Sequence, residues 1–149
     1  GQDGMALGAG VLSLGHAAGK IVDTTAHESL VLTLTHPDAQ WSVRVGREGQ
    51  AVRLLSRKGD VRRASVMDVP LAQLVLPGDT VFTTGHDGVF PADIPVGAVE
   101  DVSRSQADEF QTLTVTLGAN FPASRHVVCL ASARNARIEE LLNAQAPQP

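Results

Sequence analysis

Apolar and polar residues alternate with period two through most of the chain, the pattern of strands with one face in a core. The clearest run sets Leu30, Leu32 and Leu34 against Val31, Thr33 and Thr35. A second sets Trp41, Val43 and Val45 against Ser42 and Arg44, and a third sets Leu113, Val115 and Leu117 against Thr112, Thr114 and Thr116. Shorter β-prone runs at 20–23, 51–55, 64–69, 80–84, 97–102 and 126–130 are separated by Gly, Pro, Asp or Ser. Many short strands closed off by turn residues predict an all-β fold of two small barrel subdomains. A change in composition near Leu76 and Pro77 divides them into 1–76 and 77–131, with interleaving of strands between the two left open. Helical spacing occurs only at Ile138, Leu141 and Leu142, which predicts a short C-terminal helix followed by a flexible tail within 132–149.

The stretch Gly78 to Val99, GDTVFTTGHDGVFPADIPVGAV, carries the strongest local constraints. Gly78 and Asp79 suit a turn, 80–84 a strand, and the GHDG of 85–88 a second turn tolerant of positive φ. Pro91 and Pro95 exclude helix and push Phe90 and Ile94 toward extended conformation. The path is a stiff irregular strand, and its chemistry is architectural.

Composition narrows the function. The 149 residues are 43% hydrophobic and 19% charged, a globular balance, and no apolar run approaches the roughly 20 residues of a membrane-crossing helix. The chain starts without a signal-peptide pattern, as a fragment of a longer protein would. A net charge of -4, with four Phe, one Trp and no Tyr, argues against nucleic-acid binding. Charge is nonetheless uneven: 44–63 holds seven Arg or Lys against Glu48 and Asp60, whereas in 87–109 six acids face only Arg104. Solvated faces are the plain reading of these blocks. The sharper one is a charged contact surface at Arg53, Arg57, Lys58, Arg62 and Arg63, serving self-association, a charged protein partner or an anionic polymer.

Reactive chemistry is not assembled by spacing. His16, His27, His36, His86 and His126 are scattered without the HExxH or His-x-His spacing that pre-aligns metal ligands, so neither a metal nor another cofactor is expected. Cys129 sits in an apolar run and reads as a buried thiol. No GxSxG elbow is present, and glycines at 8, 10 and 15 lack the Lys-Ser/Thr of a phosphate loop. No catalytic residue is therefore assigned. The alternative kept open is a degenerate or active chymotrypsin-like double-barrel hydrolase, built from the serines, histidines and aspartates spread over both halves.

On these residues the chain resembles the extracytoplasmic β region of the rod shape-determining protein MreC family. Gly78, Asp79, Val81, Thr83 or Thr84 and Gly85 follow its G-D-x-V-x-T/S-S/T-G pattern, and Phe90, Pro91, Ile94, Pro95 and Gly97 its F-P-x-x-I-P-x-G pattern. Asp3-Gly4, the 15–22 run and the strand ending at Thr35 before Pro37-Asp38 extend the resemblance over most of 3–130. The chain departs from the family where His86-Asp87 replaces small or apolar residues and where Ala92-Asp93 stands at a common glycine. The resemblance implies a non-catalytic scaffold of the cell-elongation machinery that couples shape to peptidoglycan synthesis. It also implies a class B penicillin-binding transpeptidase, an MreD-like membrane protein and further copies of itself as partners. Its location would be the periplasmic or extracellular face of the cytoplasmic membrane, held by an N-terminal helix and coiled coil preceding residue 1.

Overall fold

The computed structural model describes residues 7–25, 28–37, 39–104 and 109–119, and the backbone of two further strands, Val127–Leu130 and Ile138–Glu140. The strands are β1 (Gly10–Ser13), β2 (His16–Thr24), β3 (Ser29–Thr33), β4 (Gln40–Val45), β5 (Val52–Arg57), β6 (Asp60–Pro70), β7 (Thr80–Thr83), β8 (Pro95–Arg104), β9 (Phe110–Leu117), β10 (Val127–Leu130) and β11 (Ile138–Glu140). The fold is all-β, as the alternation predicts.

The described strands form two units. One unit is closed, in the order β4-β5-β6-β9-β8-β7, and the other is a five-stranded sheet in the order β10-β3-β2-β1-β11. Position 76 falls inside the closed barrel, which takes β4–β6 from one side of it and β7–β9 from the other. Closure requires this: every barrel pairing is antiparallel, and β6 against β9 joins segments forty or more residues apart, as Arg63 opposite Thr116 shows. The expected C-terminal helix is also corrected. Ile138–Glu140 pairs with β1 as a strand, so a three-residue helical spacing is overridden by an available sheet edge. Residues 141–149 lie outside the described residues.

Alternation places the core well in β4 and β9, where Trp41, Val43, Val45, Leu113 and Val115 are all buried. It misplaces it in β3. There Ser29, Val31 and Thr33 face inward and Leu30 outward, because both parities of SLVLT carry apolar residues and period two alone does not choose a face.

The sheet and the barrel share one hydrophobic cluster. Ala17 and Leu34 from the sheet side pack with Trp41, Leu54, Phe90 and Val96. Phe90 makes the join: its ring sits where a side chain on Gly10 would have to go, and its centroid lies 6.2 Å from that of Trp41. Burying a phenylalanine of this kind contributes about 2–3 kcal/mol.

Candidate interaction surface

The 78–99 segment builds one side of the barrel wall. Gly78, at φ 97°, donates its N–H to the Val99 carbonyl at 2.7 Å, while the Asp79 carboxylate accepts the Leu76 N–H at 3.0 Å and closes the turn before β7. Gly85 and Gly88 both take positive φ in the GHDG turn. Asp87 then bridges: one carboxylate oxygen accepts the Val89 N–H and the other the Ser42 N–H of β4, each at 3.1 Å. The Thr83 hydroxyl donates to the Pro91 carbonyl at 2.7 Å and accepts the Ile94 N–H at 3.0 Å, which holds the two prolines around it. Gly97 is required by proximity, since a Cβ there would strike the Thr116 carbonyl. All eight motif positions, Gly78, Asp79, Gly85, Phe90, Pro91, Ile94, Pro95 and Gly97, thus lie in or around one β7–β8 connection.

Where Asp93 stands at a family glycine, its φ is 69°, the left-handed conformation glycine adopts freely. The aspartate is held there by charge. Its carboxylate pairs with Arg44 through one oxygen and lies 3.7 Å from Arg47 through the other, and Arg47 in turn stacks over Phe82.

These contacts redraw the two charge blocks. Arg44 and Arg47 meet Asp93, and Arg63 meets Glu100 at 2.9 Å, so three cations of the basic block are joined to two acids of the acidic block. Arg53 is likewise taken by Asp68, at 2.8 Å. The Thr116 hydroxyl, and after it the Arg63 guanidinium, holds the Glu100 carboxyl below its ordinary range. Of the five residues expected to form a charged surface, Arg57, Lys58 and Arg62 keep exposed charges without an ion pair among the described residues.

The feature that alternation does not reveal is the loop 71–79. Leu71, Leu74 and Leu76 are exposed, Leu74 by 74%, while Val75 between them is buried. Phe110, 50% exposed, is brought to the foot of the loop by pairing with Pro70. The loop is pinned by Gln111, which stands at a core position of β9 and is 1% exposed. Its amide nitrogen donates to the carbonyls of Pro70, at 2.9 Å, and Gln73, at 2.8 Å, and its oxygen accepts from Arg104 Nε at 3.1 Å. The Gln73 side chain donates onward to the Val45 carbonyl at 3.2 Å. Beside the loop runs an open groove of 780 Å³, lined among others by Arg47, Gly49, Gln73, Leu74 and Asp79. The sequence signal for this surface was PLAQLVLPG, an apolar run without strand alternation, and a glutamine at an inward β9 position.

His86 is exposed on its turn and contributes only its backbone N–H, donated to the Thr84 hydroxyl, while His16 Nδ1 lies 3.0 Å from the Leu14 carbonyl. Among the described residues no three His, Cys, Asp or Glu side chains are grouped to hold a metal. His27, His126 and the Cys129 side chain lie outside the described residues.

A closed six-stranded barrel sharing its core with a β-sheet, and presenting a braced apolar loop, defines a small all-β domain built around one barrel. The family described as "Rod shape-determining protein MreC, barrel core" matches residues 1–131, and the chain belongs to that family. The cell shape-determining protein MreC of Cereibacter sphaeroides is 37% identical over 98 residues, which are 66% of this chain and 31% of that relative. The crystal structure of MreC from Pseudomonas aeruginosa superposes with a TM-score of 0.75 at 26% identity, covering 85% of this chain and 81% of that one. MreC in a complex with Penicillin-Binding Protein (PBP2) from Helicobacter pylori shares the fold with a TM-score of 0.62 at 22% identity, over 81% and 75% of the two chains.

Proposed function

We propose that this chain is the extracytoplasmic β region of a non-catalytic scaffold, which couples cell shape to peptidoglycan synthesis by binding a class B penicillin-binding transpeptidase. The observation that carries the reading is the Gln111-braced loop. Exposing Leu71, Leu74, Leu76 and Phe110 forgoes hydrophobic stabilisation, and burying Gln111 demands a complete set of partners. Both costs are met in one place, and their product is a firm apolar ridge beside a groove. Apolar side chains held rigidly lose little entropy on docking, which is what a protein interface needs at its centre. Family membership and the Penicillin-Binding Protein (PBP2) in the H. pylori complex support the choice of partner. An MreD-like protein, self-association and anchoring by a preceding helix belong to the same reading. So does a division of labour in which the 78–99 motif shapes the barrel and the loop meets the partner.

The test is a binding titration between the full-length protein in detergent or nanodiscs and the transpeptidase of the same cell. Wild type binds, and Leu74→Asp together with Leu71→Asp weakens binding at least about tenfold, the loss of one or two buried anchors. Equal binding by the wild type and the double variant rejects the loop as the contact. No binding by the wild type rejects the partner.

A further inference from the structure

We infer that the β5–β6 hairpin tip, through Arg57, Lys58 and Arg62, is a second binding surface, whose ligand is a linear glycan bearing carboxylates. The inference rests on the extracytoplasmic scaffold reading for the ligand's setting and on the tip's own geometry for its chemistry.

The tip gathers four cations within seven residues of a chain whose net charge is -4. Arg57 and Asp60 pair directly across the turn, and Gly59 takes φ 76° to close it. The single acid of the tip, Asp60, cannot offset all four. One oxygen of Asp60 accepts the N–H groups of Arg62 and Arg63, at 2.9 and 3.0 Å, and the other lies 3.7 Å from the Arg63 guanidinium. Asp60 is thus spent on shaping the turn, and Arg63 is spent on Glu100, whose carboxylate receives Arg63 Nε through both oxygens, at 2.9 and 3.2 Å. Arg57 donates to the Thr114 hydroxyl at 2.7 Å, a neutral partner that orients the guanidinium, and its charge meets Asp60 only at longer range, without a direct ion pair. Three cations of one sign stand together, which costs repulsion that an arriving polyanion relieves.

The kind of anion follows from what the tip lacks. None of the large exposed apolar side chains falls between 56 and 63, so the surface has no apolar centre on which a folded protein could dock. The two open grooves at 45–50 and 50–53 are lined by other residues, and Arg57, Lys58 and Arg62 stand exposed on the turn. A projecting turn with three long cationic side chains suits a flexible chain of repeated charges, bound additively and tolerant of register. Two of the three are guanidiniums, whose planar fork of N–H donors suits a carboxylate, and Arg63 shows a guanidinium of the same hairpin held on a carboxylate through its Nε.

The experiment uses the full-length protein and three soluble polymers: polygalacturonate, polyphosphate and uncharged dextran. Polygalacturonate is expected to bind with an affinity that falls as salt rises, and dextran not to bind. Arg57→Ala, Lys58→Ala and Arg62→Ala combined should weaken polygalacturonate binding at least about tenfold and flatten its salt dependence, while Arg53→Ala, which removes a cation already paired with Asp68, leaves it unchanged. Retained binding by the triple variant, or binding to dextran, overturns the proposal. Tighter binding to polyphosphate overturns the choice of carboxylate. Transpeptidase binding measured on the same triple variant separates the two surfaces: it stays at the wild-type level if they are independent, and its absence in the wild type would remove the scaffold reading without touching the polymer result.

Discussion

At Gly97 the ladder between β8 and β9 leaves no room for a side chain, because the Thr116 carbonyl occupies the place of a Cβ. Gly97→Ala must push two strands of a closed barrel apart, an overpacking that costs about 1–3 kcal/mol. Urea unfolding would show it as a lower midpoint. Asp93 makes the opposite case, a side chain kept in a glycine conformation by Arg44 and Arg47. Asp93→Asn keeps the left-handed backbone and loses the ion pairs, so stability falls by about 0.5–1 kcal/mol, an amount already reduced for the partial exposure of the pair. Asp93→Gly loses the same pairs but relieves the backbone, so its midpoint should lie above that of Asp93→Asn. Glycine and proline identities made the 78–99 path readable in advance, since each restricts its own backbone. The ion pairs were not readable, because Arg44 and Asp93 meet only after β4 and β7 pair.

Between elements, Phe90 and Trp41 tie the barrel to the sheet, with Ala17 and Leu34 from the sheet side in the same cluster. Phe90→Ala opens that joint and costs about 3–5 kcal/mol. Because Trp41 is the sole tryptophan and lies in this core, its fluorescence and the far-UV circular dichroism should report one coincident unfolding transition in the wild type. Gln111→Leu keeps the volume of the β9 core position and strands the carbonyls of Pro70 and Gln73, at a cost of about 1–3 kcal/mol. Amide hydrogen exchange should then quicken across 71–76 more than in the barrel strands. The alternation in β4 and β9 identified their buried faces correctly because polar residues marked the other side. In β3 it did not, since leucine and valine compete for the core and the pairing with β2 and β10 decides. A polar residue that works by holding a loop, as Gln111 does, follows no periodic rule.

For the molecule as a whole, the joining of basic and acidic blocks through Arg63–Glu100 and Arg44–Asp93 turns sequence-level asymmetry into a barrel whose wall is braced by charge. Asp60 titrates below its ordinary range, first because the Arg62 N–H donates to it, and Glu100 does so first through Thr116. The unfolded chain therefore binds these protons at higher pH than the folded one. Stability from the two carboxylates is complete above the ordinary carboxylate range and is lost as pH falls through their lowered folded values. Glu100→Gln should flatten the acid limb of melting temperature against pH at low salt, and added salt should shrink the difference because the groups are exposed. Docking through the braced apolar loop can be read in growing cells by photo-crosslinking from a benzophenone amino acid placed at position 74 of the full-length protein. A crosslink to the class B transpeptidase is expected from position 74 and none from position 101 on β8. A transpeptidase crosslink from 101 with none from 74 would show that the partner docks elsewhere on the barrel.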